Sequence, residues 1–328
     1  MAYRRRRKQA GGSPRRRIGD IMCTALCDPP GVTVALTPTI ADLVRTHDDD
    51  PQAAAQALRS LAQSAIADDD LQRYTWLVNH VVGEKLGDWP NALSLQRQVG
   101  DGREHRAALR NTAIAASMAG DALAGLVAEA RFADVAAVSP AQAAMSVRLG
   151  MLQYAVSDAP TEHAAVALNH CVREIDAWPG LGPLADQFAA ALNNIVSALL
   201  DRSDADAANP VTRAALREGS KLARRAWSEA GTWVNVERAD YLVAMCLNKI
   251  GDWQAAADAA RSGLDTIARN GTEDVDRAFL LLELGKACRE LGLGDEASSA
   301  TAQASALAKQ FAEPALREWF ESRVAATR

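Results

Sequence analysis

The sequence predicts an all-α protein built as a stack of antiparallel helix pairs, and three observations predict it. Hydrophobic residues make up 48% of the 328 positions, yet aromatics only 5%, and much of the apolar content is alanine. Alanine and leucine are strong helix formers, and the β-branched or aromatic runs that strands need are scarce. Helix-start signals recur along the chain at short intervals. Finally, KLGDWPNAL at 85–93 has a near twin in KIGDWQAAA at 249–257.

The first 37 residues stand apart. Residues 1–17 hold eight Lys or Arg and no acid, whereas the remaining 311 hold 28 basic and 41 acidic residues, a net of −13. The body is therefore a poor electrostatic match for nucleic acid, and only residues 4–17 are suited to phosphate. The segment 1–37 reads as a disordered basic arm followed by an irregular, Pro-containing lead-in. The arm has three readings: an inert arm, an import-like basic signal, or residues upstream of a true start at Met22.

From Thr39 onward one helix follows another, and 38–328 reads as a single body of about fourteen helices. Asp50 is placed as an N-cap with Pro51 at the first helical position, where a missing N–H costs nothing. Asp70 reads as the cap of the next long helix. Ser139 and Gln142 form a capping box around Pro140, and Asn209 with Pro210 repeats the arrangement. The last helix, in EPALREWFESRVAATR, has a polar side suited to closing the array.

Setting the two GDW stretches in register exposes a repeat. Gly87, Gly120, Gly251 and Gly292 each end a helix, and a small residue stands five positions on, at Ala92, Gly125, Ala256 and Ala297. The first two glycines are 33 apart and the last two 41 apart. A glycine in the left-handed conformation ends a helix without a Cβ clash. Asp88 and Asp252 then read as caps of the following helix, Trp89 and Trp253 as wedges between the two. The small residue lets the helices pass closely. A two-helix unit cannot bury its own apolar face, so neighbours must stack.

On these residues the chain resembles the tetratricopeptide repeat family, a helix–turn–helix unit with a Gly-Asp-aromatic turn. The matching positions are Trp76 with Gly87, Asp88, Trp89 and Ala92; then Gly251, Asp252, Trp253 and Ala256; then Leu284, Gly285, Leu291, Gly292 and Ala297. His80 and Ala244 stand at the family's small-glycine position and Gly83 at its tyrosine position. The resemblance covers about residues 70–310 and implies a right-handed α-solenoid that binds a protein or peptide in its concave groove.

Catalytic signatures are weak. Two G-x-G-x-x-A strings, Gly180–Ala185 and Gly292–Ala297, do not follow a strand, as a dinucleotide site requires. The acidic runs at 47–50 and 68–70 sit at helix starts, where acids favour the macrodipole. The five histidines are dispersed, and His80 reads as a hydrogen-bonded core residue. Cys23 and Cys27 lack a second pair to complete a zinc site, and Cys171, Cys246 and Cys288 read as free thiols. No cofactor or metal is expected, and no stretch is apolar enough to span a membrane. Together with the resemblance, these weak signatures imply a non-enzymatic cytoplasmic scaffold.

The working surface is expected on the helices that precede the GDW-type turns. Arg238, Tyr241, Met245, Asn248 and Lys249 share one helix face by spacing, and Phe279, Leu282, Lys286, Arg289 and Glu290 are the next unit's equivalents. Arg238, Lys249, Lys286 and Arg289, with Tyr241 and Asn248, suit an acidic peptide or a C-terminal carboxylate. The competing reading makes them solvated charges or partners of Glu237, Glu283 and Glu290. Self-association is compatible with either. The alternative function is a peptide-sensing regulator whose Arg-rich arm touches nucleic acid.

Overall fold

A computed structural model describes residues 38–100 and 102–326, and all regular structure among them is helical. Sixteen α-helices follow in order: α1 (Ile40–Thr46), α2 (Pro51–Leu61), α3 (Asp68–Leu77), α4 (Trp89–Gly100), α5 (Arg106–Met118), α6 (Ala122–Ala136), α7 (Pro140–Ala155) and α8 (Thr161–Asp176). Then come α9 (Ala185–Leu200), α10 (Asp204–Ala208), α11 (Pro210–Ala230), α12 (Trp233–Lys249), α13 (Trp253–Asn270), α14 (Asp274–Glu290), α15 (Gly294–Ala308) and α16 (Pro314–Ala326). The helix α3 runs on into a wider π-helical segment, Val78–Lys85.

The helix ends follow local chemistry. Asp50 accepts from the amides of Gln52 and Ala53, with Pro51 behind it. Ser139 and Gln142 complete a capping box, and Asn209 accepts from Val211. Asp70 does not cap: α3 starts two residues earlier, Ala67 stands at the N-cap, and the three aspartates occupy the first turn. There they complement the helix dipole without a capping bond. Gly87, Gly120, Gly251 and Gly292 all have positive φ, between 70° and 84°, as the repeat requires.

Six consecutive pairs pack together: α4 against the π-helical continuation of α3, then α5/α6, α7/α8, α9/α11, α12/α13 and α14/α15. At each of the five junctions the first helix of a pair also lies against the first helix of the next, and the second helix against that same neighbour. The small residues make the crossing close. Ala92 and Ala256 are fully buried, and a Cβ on Gly125 would stand 2.7 Å from the Ser117 hydroxyl.

Polar side chains also tie successive first helices together. Asn79 Nδ2 donates to the Asn111 carbonyl (2.9 Å), Arg110 to the Ser146 carbonyl (3.0 Å) and Asn248 to the Glu283 carbonyl (3.0 Å). Each link spans about one repeat of sequence. Trp89 sits where the N-terminal apolar clusters meet, packing against all three of them. Its ring lies over Gly83, where a Cβ would come within 2.5 Å. Gly83 thus makes room for the Trp89 ring.

Candidate functional site

The helices α12 and α14 are neighbours and bring the two predicted residue sets onto one part of the fold. Their apolar and amide members, however, face the packing. Tyr241, Met245, Asn248, Phe279 and Leu282 are all buried. The closing helix α16 covers much of this face: the Phe279 ring centroid lies 4.2 Å from that of Trp319 and 5.4 Å from that of Phe320. Tyr241 lies 6.0 Å from Phe279, and burial pushes its hydroxyl pKa upward.

Asn248 is spent internally as well. Its Nδ2 donates to Glu283 Oε2 (2.8 Å), while Glu283 Oε1 accepts from Arg323 of α16 (2.7 Å). Glu283 is itself buried. The expectation that Tyr241 and Asn248 are offered to a partner is therefore corrected. A three-and-four spacing identifies a shared face, and the neighbouring helices decide whether it meets solvent.

The cations remain nearer the surface, but acids accompany them. Arg238 Nε lies 2.9 Å from Asp276 Oδ2 and 3.7 Å from Glu237 Oε1. Lys249 pairs with Asp204, and that hydrogen bond holds the Asp204 carboxyl below the usual range. Lys286 is half-buried and Arg289 exposed. Arg289 borders a shallow open depression of about 420 Å³ lined also by Ala297, Ser298, Thr301 and Ser305.

Glu237 is the exceptional group here. It is fully buried, and neither carboxylate oxygen has a hydrogen-bond partner. Loss of solvation, followed by the adjacent Asp276 charge, drives its pKa well above the carboxylate range, and Arg238 only partly opposes this.

The two GDW turns have different uses for their acids. Asp88 Oδ1 accepts from the Asn91 amide (3.3 Å), as a cap does. Asp252 makes no side-chain capping bond; its carboxylate accepts from Arg217 of α11 at 3.0 Å. The expected cap is corrected there: an arginine from the preceding pair holds the carboxylate instead. Trp253 lies over its own turn, 3.6 Å from where a Cβ of Gly251 would stand.

Two features escaped the sequence reading. His47 and His80, expected to be unrelated, have ring centroids 5.0 Å apart. Asp48, expected to serve a helix start, pairs instead with Lys85. The other feature is a solvent-facing apolar stripe on α6. Leu123 is 73% exposed, Leu126 62%, Val127 54% and Val135 36%. The three- and four-residue offsets of Leu126 and Val127 from Leu123 put these three on one face, with Val135 further round the helix; the signal is readable in ALAGLVAEARFADV but masked by the expectation that all apolar faces stack inward.

Residues 4–17, with Cys23 and Cys27, lie outside the described residues. Cys171, Cys246 and Cys288 are buried free thiols. No helix among the described residues is long and apolar enough to cross a membrane. No protein-family model matches the chain, and no curated protein matches it significantly.

Proposed function

We propose that this chain is a non-enzymatic scaffold, a right-handed α-solenoid of the tetratricopeptide type, that holds a protein partner in the cytoplasm. The regular packing of first helix on first helix supports the architecture. Three buried free thiols support a reducing compartment. The observation that carries the binding role is the α6 stripe. Large apolar side chains gathered on one exposed helix face mark a protein contact, whereas single exposed leucines do not. The three most exposed on α6, Leu123, Leu126 and Val127, share one face, and no other helix among the described residues carries more than one exposed large apolar side chain.

This reading moves the contact away from the predicted groove. Arg238 and Lys249 there are already matched by Asp276 and Asp204, and the aromatic and amide groups are buried. An acidic peptide would have to displace those internal partners, whereas the α6 stripe needs no rearrangement.

Capture with the full chain as bait, followed by identification of co-purifying proteins, tests the role with two variants. Leu123→Asp with Leu126→Asp is expected to deplete the specific partner at least tenfold without changing the helical circular dichroism. Lys249→Glu with Arg289→Glu is expected to leave it. An undiminished partner in the α6 variant overturns the stripe. Loss only in the charge-reversed variant restores the groove. Sedimentation of both variants reveals whether the partner is a second copy.

A further inference from the structure

We propose that His47, Asp48 and His80 form a binding site for one divalent transition-metal ion, best matched to zinc, that clasps α1 to the π-helical continuation of α3. The potential ligand atoms of these three side chains lie within 4.8 Å of one another. Asp48 Oδ1 stands 3.6 Å from His47 Nε2 and 3.9 Å from His80 Nε2. Tetrahedral zinc with bonds of about 2.0–2.2 Å holds its ligands roughly 3.3–3.5 Å apart. The two Asp48 separations lie within a few tenths of an ångström of that spacing, and closing the imidazoles onto the ion completes the seat. Asp48, exposed on the turn between α1 and α2, is free to adjust toward both imidazoles.

The hydrogen bonds aim both imidazoles correctly. His47 Nδ1 lies 3.0 Å from the Leu43 carbonyl and 2.9 Å from the Val44 carbonyl. Both neighbours are acceptors, so Nδ1 carries the proton and Nε2 presents its lone pair toward Asp48. His80 Nδ1 lies 2.6 Å from Glu84 Oε2, which likewise leaves Nε2 free to ligate. An imidazole whose far nitrogen donates to a carbonyl or carboxylate is the usual support of a metal-bound histidine.

The backbone contributes as well. Between Val78 and Lys85 the bonds reach one residue further than in an α-helix, as in Leu86 N–H to the Val81 carbonyl (3.1 Å). Wider turns of this kind recur at functional sites. Here the segment delivers both His80 and its support Glu84. The Trp76 ring stacks on His80 at 5.2 Å with 10° between planes, and meets His47 edge-on at 5.4 Å. It walls one side and fixes both rings.

Two imidazoles and one carboxylate favour zinc over magnesium or calcium, which prefer all-oxygen shells. Three protein ligands leave the fourth tetrahedral position to water. Lys85 supplies a specific signature: its ammonium pairs with Asp48 Oδ1, the atom required by the ion, so metal and Lys85 compete.

The test is calorimetric titration of Zn²⁺ into the untagged full chain with Cys23 and Cys27 replaced by serine, which removes thiols that would bind zinc on their own. One equivalent is expected. Asp48→Asn and His80→Gln are each expected to weaken binding about tenfold or more, and Glu84→Gln by a comparable factor. Lys85→Met is expected to tighten it, an effect that a merely structural role for these groups would not produce. Asp48 and Lys85 are surface side chains, so these two variants stay informative if a histidine variant fails to fold. Absence of binding, or binding indifferent to both Asp48→Asn and Lys85→Met, overturns the proposal.

Discussion

Replacing Glu237 by glutamine is expected to stabilise the protein, and to do so more at high pH than at low. In the folded chain this carboxyl faces Asp276 and Glu273, has only Arg238 as a nearby counter-charge, and is shut off from water. Its pKa is raised well above the ordinary 4.5. Between pH 4.5 and that folded value the native state keeps a proton that the unfolded state releases. Stability therefore falls as pH rises through this window. Each pH unit above 4.5 costs about 1.4 kcal/mol, so the ceiling is about 0.7 kcal/mol at pH 5 and about 3.4 kcal/mol at pH 7. Glutamine keeps the volume, cannot ionise, and offers N–H groups toward Asp276. Urea unfolding followed by circular dichroism at pH 5, 6, 7 and 8 measures the difference. Glu237→Gln should gain on wild type progressively across that series, by about 1–3 kcal/mol at pH 7. An equal difference at pH 5 and pH 8, or a less stable variant at pH 8, refutes the reasoning.

Two further expectations concern the turns. Gly83→Ala places a methyl 2.5 Å from the Trp89 ring and should cost about 1–3 kcal/mol by overpacking; adding Trp89→Leu should relieve much of the clash, so the double variant's loss should fall short of the sum in urea titrations. Gly251→Ala meets only ordinary contact with Trp253 but keeps φ near 78°, so its loss should be about 1–2 kcal/mol from backbone strain alone, and no change at Trp253 should rescue it.

Much of the fold was legible because its determinants are local. A left-handed glycine, a capping aspartate before a proline, and a capping box each act across four residues or fewer. That range is why Gly87, Gly120, Gly251 and Gly292, together with Asp50, Ser139 and Asn209, were readable from the order of residues. Ala92 and Ala256 were readable for the same reason, as recurring small residues at a fixed distance from a turn. Asp70 was misread by three positions, since Ala67 is the cap, because an aspartate in the first turn and one at the cap give the same signal in sequence.

The candidate sites were less legible. Spacing put Tyr241 and Asn248 on one helix face, but whether that face met solvent depended on α16, which lies about 70 residues downstream. Asp252 looked like Asp88 in sequence, yet Arg217 from another pair claimed its carboxylate.

The sequence by itself determined that the chain is helical, where most of its helices end, and the repeated pairing that lets each unit bury its apolar side. Tertiary structure alone decided which polar groups meet. It brought His47 to His80 across 33 positions, left Glu237 beside Asp276 with little solvent, and turned Leu123, Leu126 and Val127 outward. Helix ends are governed by bonds between near neighbours along the chain. Charge, burial and metal geometry are governed by distances in space, and those exist only once the pairs have stacked.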